Sequence, residues 1–217
     1  MNRTFYDLFG KKWFDASFSA LGLLVTFPIL LATAILVRLT SPGPVFFRQE
    51  RTGRLGKSFR IFKFRTMVWD QAANSTRVTA TDDPRITKFG RFLRRTKIDE
   101  IPQLWNVLRG EMSLVGPRPE VPEYTASYNL WQKRSLIARP GITGPAAIAF
   151  VNEEEILARH PDKDAFYKES LLPAKLDLDV AYCENIRFLI DLNLIFKTVA
   201  RLFEVRKLLD QPFHERS

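Results

Sequence analysis

The sequence is poor in the residues that form disulfides or bind soft metals. Its 217 residues include one cysteine, Cys183, and two histidines. A single cysteine excludes an internal disulfide framework, and so few sulfur and imidazole groups argue against a zinc site. A metal bound by this chain is therefore expected to be a hard ion held by carboxylate and phosphate oxygens, which favours Mg²⁺.

Acidic residues are scarce in one block of the chain. Residues 38–97 carry fifteen basic and four acidic side chains, whereas residues 98–217 carry fifteen basic and eighteen acidic ones. The formal net charge of +9 therefore comes from the first of these blocks. Such segregation favours a polyanionic partner, namely phosphate groups, nucleic acid or anionic lipid, over a generally solvated basic surface.

Charge is absent from residues 16–37, a run of 22 uncharged and mostly apolar residues. As a helix this run reaches roughly 33 Å, enough to cross the roughly 30 Å hydrocarbon core of a bilayer. It is longer than the apolar region of a cleaved signal peptide. The sequence therefore predicts a membrane-associated helix within residues 1–40.

The residues alone leave two arrangements of this helix open. Pro28 lies near its centre, where it removes a backbone hydrogen bond and bends the helix, and the Thr26 hydroxyl is placed to bond the exposed backbone. Basic residues flank both ends, with Lys11 and Lys12 before the run and Arg38 after it. A positive-inside preference at both ends is met by a re-entrant helix and frustrated by a spanning one. Both arrangements place the basic block on the cytoplasmic face.

The remaining chain, residues 41–217, is expected to complete an α+β fold that is mostly helical. Two β-prone runs around a glycine-bearing tip predict a hairpin, and a polar stretch predicts a loop or a short surface helix. The hairpin runs are 45–50 and 58–65, and the polar stretch is 69–83. Helices are predicted for 86–95, from Pro102 to Gly110, for one or two segments of 160–185 broken by Pro173, and for 191–209. The last helix is amphipathic and fits either the membrane interface or a core-facing position.

Two acidic residues follow the most basic part of the chain. Six basic side chains and no acidic one lie between Pro84 and Ile98, and Asp99 and Glu100 come directly after them. One interpretation is helix punctuation, because carboxylates are favoured before a helix N-terminus. The other is a site for moving a phosphoryl group, in which cations, carboxylates and a helix end act together. Since neighbouring residues do not face each other on a helix, the two acids are expected to have different roles.

The sequence GPRPE places Arg118 between two prolines. Prolines restrict the backbone, so the guanidinium can be presented to a ligand with little ordering cost. The alternative is an ordinary extended loop whose arginine pairs with Glu120 or Glu123. Two Asp-x-Asp tripeptides, Asp162/Asp164 and Asp177/Asp179, resemble metal-nucleotide motifs, but residues i and i+2 diverge on a helix and neither is favoured.

Several long stretches together resemble a known family. They are GPVFFRQERTGRLGKSFRIFKFRTM, DPRITKFGRFLRRTKIDEIPQLWNVLRGEMSLVGPRPE and RPGITG, in that order. The chain is identified by them as a member of the bacterial sugar transferases, the monotopic phosphoglycosyl transferases. The resemblance runs from about residue 11 to residue 209 and is to the small form that consists of the catalytic domain.

The resemblance implies an activity and a set of site residues. The family transfers a sugar 1-phosphate from a UDP-sugar to a polyprenyl phosphate such as undecaprenyl phosphate, releases UMP and depends on Mg²⁺. Asp99 matches the nucleophile that forms an aspartyl phosphosugar intermediate, and Glu100 its partner, with both carboxylates at the metal. Arg118 matches a phosphate clamp. Further phosphate contacts are expected from Lys63, Arg94, Arg95 and Arg91.

The resemblance also implies a location and partners. It favours the re-entrant helix, kinked at Pro28 with Thr26 nearby, joined to residues 41–217 as one monotopic domain with amphipathic helices at the membrane interface. The family's Ser-Pro pair at the kink is Phe27-Pro28 here. The expected place is the bacterial inner membrane, with the catalytic part facing the cytoplasm. The expected role is to initiate a surface glycan, exopolysaccharide or glycoprotein. Expected partners are the UDP-sugar, the polyprenyl phosphate and inner membrane phospholipids, with a homodimer as a further candidate and no nucleic acid.

Two other classes of function stay open at this point. One is a membrane-anchored basic module that binds anionic lipid or nucleic acid without catalysis, which leaves the acid pair and Arg118 unexplained. The other is a conventional glycosyltransferase that uses the Asp-x-Asp tripeptides and would release UDP instead of UMP.

Overall fold

The computed structural model describes residues 4–69 and 83–209, with side chains described up to Arg201 in the last helix. Most of the predicted polar stretch 69–83 therefore lies outside the described residues. The helices are α1 (Lys11–Thr40), α2 (Lys88–Thr96), α3 (Gln103–Leu108), α4 (Pro122–Thr125), α5 (Pro145–Ala149), α6 (Glu153–Ala158), α7 (Lys163–Phe166), α8 (Leu172–Glu184) and α9 (Phe188–Leu209). The strands are β1 (Phe46–Thr52), β2 (Ser58–Phe64), β3 (Ser113–Val115) and β4 (Gly141–Thr143). The described chain is thus mostly helical, as predicted.

The predicted hairpin is confirmed. Strands β1 and β2 pair antiparallel, with Phe46 opposite Phe64 and Thr52 opposite Ser58. The turn closes through a hydrogen bond from the Gly53 amide to the Lys57 carbonyl at 2.8 Å. Alternate residues of β2, Phe59 and Ile61, are buried and pack against Val107 and Met112, as expected for a sheet with one covered face.

A second, parallel pair of strands was not predicted. Strands β3 and β4 join the two proline-containing loops, with Ser113 opposite Gly141 and Val115 opposite Thr143. Only glycine fits at two positions in this joint. A Cβ atom on Gly116 would lie 2.3 Å from the Arg139 carbonyl oxygen, and one on Gly141 would lie 2.1 Å from the Gly116 amide. The two loops are therefore packed backbone to backbone.

Helix α1 lies lengthwise along the rest of the protein. Near its start Asp15 accepts a hydrogen bond from the Leu114 amide at 3.1 Å. In its middle, a Cβ on Gly22 would lie 3.1 Å from a methyl group of Leu104 on α3. Near its end Val37 is buried with Phe64 and Leu93. The other side of the helix is open and apolar, with Leu24 and Leu39 74% and 76% exposed.

Helix α1 is long and apolar enough to cross a membrane by length and composition, with a mean hydropathy of 2.5 in its most apolar stretch. Pro28 lies inside the helix, which continues to Thr40. The Thr26 hydroxyl donates to the Gly22 carbonyl at 2.6 Å, whereas the carbonyl that loses its amide partner to Pro28 is that of Leu24, four residues before it. Thr26 therefore bonds a carbonyl two residues before the one that Pro28 leaves without an amide partner. Re-entry of the helix stays a prediction.

The helices that hold the predicted acids begin and end at local signals. Thr87 caps α2 by accepting a hydrogen bond from the Gly90 amide at 2.8 Å. Lys97 ends α2 with a φ of +58°. Pro102 precedes α3, and Gly110, with a φ of +74°, lies just beyond its end. Pro173 lies in the first turn of α8, which directly follows a π-helical stretch, Tyr167–Leu171, so the chain is helical on both sides of Pro173 and is not broken there.

Helix α9 buries the carboxylate of Asp191 and exposes apolar side chains. Asp191 is fully buried and accepts hydrogen bonds from the Tyr6 hydroxyl at 2.7 Å, the Lys11 ammonium at 2.5 Å and the Tyr182 hydroxyl at 2.6 Å. Phe196, on the same helix, is 75% exposed. The buried Asp191 cluster joins the N-terminal segment to α8 and α9, while α9 keeps an apolar surface that stays a candidate for the membrane interface.

Candidate functional site

Asp99 and Glu100 lie on a 3-10 turn, Ile98–Glu100, between α2 and α3. The left-handed backbone of Lys97 redirects the chain from α2 into this turn, and the Glu100 amide donates to the Lys97 carbonyl at 3.1 Å. Because a non-glycine residue rarely adopts this conformation, the turn is held by its surroundings. The two acids are therefore placed by the end of α2.

Glu100 is paired with a cation from the hairpin. Its Oε1 atom accepts a hydrogen bond from Lys63 Nζ at 2.7 Å, and both side chains are mostly buried, at 15% and 20% exposed. Burial would raise the pKa of Glu100, but Lys63, Arg118 and Lys97 outweigh it and hold that pKa below its ordinary value. Burial lowers the pKa of Lys63, and Glu100 opposes that effect. Glu100 is therefore an ionised, fixed carboxylate.

Asp99 is buried and carries an unpartnered oxygen. It is 6% exposed, and its Oδ1 atom has no hydrogen-bond partner among the described residues. Burial, followed by the charge of Glu100, raises the pKa of Asp99 to about 6, while Lys63, Lys97 and Arg94 oppose the rise. The pKa values of the neighbouring acids thus shift in opposite directions, whereas their different roles stay a prediction.

Arg118 is presented by a tethered loop. The Gly141 amide donates to the Pro117 carbonyl at 2.8 Å, the Arg118 amide donates to Asp179 Oδ2 at 3.1 Å, and Arg51 donates to the Pro119 carbonyl at 3.1 Å. Within the described residues the Arg118 guanidinium has no hydrogen bond. Burial alone would lower the pKa of Arg118, but Glu100, Glu153 and Glu120 raise it. The Arg118 guanidinium is therefore a cation near Glu100 on a backbone that is held by hydrogen bonds, while the side chain itself has none among the described residues.

The predicted cations of α2 are placed differently from one another. Arg94 is mostly buried and donates to the Thr66 hydroxyl at 3.0 Å and to Glu154 Oε1 at 3.1 Å. Arg91 and Arg95 are exposed, and their guanidinium groups form no hydrogen bond or ion pair with the residues that the structure describes. The structure thus brings Lys63, Arg94 and Arg118 to the acids and leaves Arg91 and Arg95 on the outer face of α2.

Several groups at or behind the site were not predicted. Lys97, next to the acids, lowers the pKa of both; its position in the basic run could have suggested it. Arg51 lies in β1. Burial and the nearby Arg118 lower the pKa of Arg51. A buried group of Glu120, Glu153, Tyr167 and Lys175 lies behind Arg118, and no spacing pattern in the sequence indicates it.

The Asp-x-Asp tripeptides serve the fold. Asp162 caps α7 by accepting from the Ala165 amide at 2.9 Å, and Asp164 accepts from the Tyr124 hydroxyl at 2.5 Å. Asp177 accepts from the Trp131 indole at 3.2 Å. Asp179 is buried between the amides of Arg118 and Ala146, and this burial raises its pKa to about 7. The four carboxylates contact different elements, and this agrees with the expectation that neither tripeptide is a metal-nucleotide motif.

The donor set at the acids fits a magnesium ion that is shared with a substrate. Among the described residues, no three His, Cys, Asp or Glu side chains form a metal cluster. Mg²⁺ usually needs only one or two carboxylates, together with water and substrate phosphates. The unpartnered, buried oxygen of Asp99 is the kind of group that such an ion would satisfy.

A buried acid pair bordered by cations thus lies beside a helix that is long and apolar enough to cross a membrane. The profile of the bacterial sugar transferase family matches residues 6–205. The chain belongs to that family.

Three relatives show how the similarity is distributed. Undecaprenyl-phosphate glucose phosphotransferase of Komagataeibacter xylinus is 39% identical over 90% of this chain and 36% of its own. UDP-N-acetylgalactosamine-undecaprenyl-phosphate N-acetylgalactosaminephosphotransferase of Aeromonas hydrophila is 34% identical over 88% and 43%. Exopolysaccharide production protein PSS of Rhizobium leguminosarum bv. phaseoli is 38% identical over 89% and 94%. The chain spans about two fifths of the length of the first curated relatives that it matches.

Proposed function

We propose that this protein is a membrane-bound phosphoglycosyl transferase that moves a sugar 1-phosphate from a UDP-sugar to undecaprenyl phosphate. The observation that carries the proposal is the state of Asp99, a buried carboxylate with a free oxygen beside Glu100 and three cations. The names of the relatives, which pair undecaprenyl phosphate with glucose or N-acetylgalactosamine, support the donor and acceptor classes.

In the first half-reaction, a carboxylate oxygen of Asp99 attacks the sugar-bearing phosphorus of the UDP-sugar. The bond from that phosphorus to the bridging oxygen breaks, and UMP leaves with the oxygen and its electron pair. The product is an aspartyl phosphosugar. Arg118 and Lys63 stabilise the charge that develops on the phosphoryl oxygens, as preorganised cations do. Arg94, Arg91 and Arg95 are further candidate contacts.

In the second half-reaction, a phosphate oxygen of undecaprenyl phosphate attacks the same phosphorus. The bond to Asp99 breaks, which restores the carboxylate and gives the diphosphate-linked sugar on the lipid. A covalent intermediate lets one site treat a soluble donor and a lipid acceptor in turn, so ping-pong kinetics are expected. Asp99 and Glu100 would hold Mg²⁺, which supplies neutralisation of the diphosphate charge when it is bound.

The lengthwise packing of α1 supports the re-entrant arrangement. Strand β3 contacts α1 near its start, at Asp15, and helix α2 contacts it near its end, at Val37. If α1 crossed the whole bilayer, β3 and α2 would therefore be drawn into hydrocarbon. Those elements carry charged side chains, which are costly in a membrane. A helix that enters and returns leaves the body at the cytoplasmic surface of the inner membrane. Dimerisation stays a prediction.

The test is a panel of UDP-sugars with purified protein, Mg²⁺ and undecaprenyl phosphate, in which nucleotide products are identified. UMP release with lipid-linked product supports the proposal, and UDP release points to a conventional glycosyltransferase. The variant Asp99→Asn should release no UMP and show no covalent adduct by mass spectrometry, while the matched control Asp177→Asn stays active. If no UDP-sugar is consumed by the intact protein, the proposal fails, and salt-dependent binding to anionic vesicles that is insensitive to Asp99 would support the basic module instead.

A further inference from the structure

Lys175 is a buried cation far along the chain from the candidate site. Its side chain is 2% exposed on α8. Its Nζ atom lies 2.9 Å from Glu153 Oε2, 3.0 Å from the Tyr167 hydroxyl oxygen and 3.5 Å from Glu120 Oε1. It also lies 4.8 Å from the centre of the Tyr167 ring. An ammonium has three donors, and these three acceptors use them all.

Lys175 is the ammonium that both carboxylates contact, and Arg51 is a further cation that lowers the pKa of Glu120. Glu120 is 6% exposed, and its other partner is the Tyr167 hydroxyl, which donates to Oε1 at 2.6 Å. Glu153, in the first turn of α6, is partly exposed, at 22%, and lies 2.9 Å from Lys175 Nζ. Buried carboxylates without a paired cation carry a large desolvation cost. Lys175 therefore neutralises charge from two elements at once.

Both carboxylates also attract Arg118. Glu120 lies two residues beyond Arg118 on the same loop, and both Glu120 and Glu153 are among the charges that raise the pKa of Arg118. The Arg118 guanidinium itself has no hydrogen bond among the described residues, although its backbone is tethered to Asp179. The side chain is therefore free to turn toward whichever anion is least neutralised.

We propose that Lys175 is a positioning residue that keeps the Arg118 guanidinium available to the diphosphate of the substrate. By pairing with Glu120 and Glu153, Lys175 prevents these carboxylates from forming ion pairs with Arg118. Without it, Arg118 would turn away from Glu100 and toward Glu120 and Glu153. This inference rests on the proposed function for its substrate, and on the distances around Lys175 for its geometry.

The test compares Lys175→Met with the charge-balanced double variant Lys175→Met/Glu153→Gln. The single variant should raise the KM for the UDP-sugar identified by the panel by roughly 10- to 100-fold, with a smaller effect on kcat, because a misplaced binding group costs about that much. It should weaken binding of UDP, measured by calorimetry, by a similar factor. The double variant should recover most of both losses. Lys175→Arg should retain most of the affinity because it keeps the charge.

The control is Lys133→Met, which removes an exposed lysine and should change neither KM nor UDP binding. Melting temperatures are measured for each protein, since a purely structural role would lower stability without charge-dependent recovery of affinity. If Lys175→Met does not fold, Lys175→Gln is measured in its place with the same expectation. Unchanged KM and UDP affinity in the folded single variant, or no recovery in a folded double variant, overturns the inference. If the intact protein releases no UMP, the proposed function fails, and the UDP binding series alone then decides the role of Lys175.

Discussion

At the scale of single residues, Asp99 is held in a state that costs stability. Burial, with Glu100 beside it, raises its pKa from 3.8 to about 6. A shift of this size corresponds to about 3 kcal/mol when the group is ionised in the folded protein. Because the folded pKa lies above the unfolded one, this cost is absent below about pH 4, grows between pH 4 and pH 6, and is complete above pH 6. Asp99 is therefore mostly ionised at neutral pH, at a cost in stability.

The first prediction concerns this cost. Asp99→Asn should raise the free energy of unfolding by on the order of 1–3 kcal/mol at pH 7, because it removes a buried charge, and should give no gain at pH 4. Chemical denaturation in detergent micelles at both pH values measures this. Asp177→Asn, at an exposed indole contact, should leave stability nearly unchanged. Equal stability of Asp99→Asn and the parent protein at pH 7 would contradict the prediction.

The second prediction concerns the pH dependence of the donor half-reaction. Only the ionised form of Asp99 can attack phosphorus, so kcat/KM for the UDP-sugar should fall about tenfold per pH unit below about pH 6. Lys63 opposes the rise in the pKa of Asp99, so Lys63→Met should move this limb to higher pH. Lys57→Met, at the exposed hairpin tip, should not move it. A profile that is flat down to pH 4.5, or one that Lys63→Met shifts downward, would argue against Asp99 as the nucleophile.

At the scale of elements, the end of α2 decides where the acids point. Lys97 holds a left-handed backbone with a φ of +58°, a conformation that costs an L-residue about 1–2 kcal/mol and a β-branched residue more. The turn that carries Asp99 and Glu100 starts at this residue. The geometry of the site therefore depends on one backbone conformation as well as on charges.

The third prediction separates the backbone of Lys97 from its charge. Lys97→Gly should fold at least as stably as the parent protein, whereas Lys97→Val should lose about 1–2 kcal/mol because its branched side chain resists the left-handed region. Lys88→Val, on the exposed first turn of α2, controls for helix propensity. Thermal unfolding measures the differences. The prediction is wrong if Lys97→Val and Lys88→Val unfold alike.

At the scale of the whole molecule, the buried cluster around Asp191 ties the membrane helix to the body. Tyr6 and Lys11 come from the start of the chain, and Tyr182 comes from α8. Burial raises the pKa of both tyrosines, with Asp191 adding to the effect, so they stay neutral donors. Lys11 is 7% exposed and would lose its closest anion if Asp191 were neutral.

The fourth prediction is that Asp191→Leu loosens α1 from the body. Breaking a buried pair by removing one partner costs about 3–5 kcal/mol, because an uncompensated charge remains. Unfolding should therefore occur at a markedly lower temperature, and proteases should cut near residue 10 in detergent. Glu169→Gln, at an exposed acid between α7 and α8, is the matched control. A parent-like melting temperature for Asp191→Leu would show that the cluster does not anchor the helix.

The fifth prediction concerns topology. Since the body flanks α1 along its length, both ends of the helix should face the cytoplasm. The native Cys183 is 3% exposed, so the background labelling is expected to be low. Cysteines introduced as Asn2→Cys and Arg54→Cys should both be labelled only after an impermeant reagent gains access to the cytoplasm. Labelling of Asn2→Cys in intact cells would establish a spanning helix instead.

Local patterns in the sequence were enough to determine several parts of this protein. The apolar run 16–37, the hairpin around Gly53, the breaks near Pro102 and Gly110, and the acid pair behind six cations all depend on residues that are close together in the chain. Helix and strand periods, turn residues and charge clustering act over such short distances, so they can be read without the fold. The family likeness added the roles expected for Asp99, Glu100 and Arg118.

Only the tertiary structure decided which distant groups support the site. Lys175 meets Glu120 55 residues away, Asp179 meets the Arg118 amide 61 residues away, and Asp191 meets Lys11 180 residues away. Spacing argued against Asp179 as a ligand but could not place it beneath Arg118. Likewise, exposure separated Arg94 from Arg91 and Arg95, which look equivalent in the basic run. Buried charges must find partners wherever the chain brings them together, and that pairing is set by packing instead of by any local pattern.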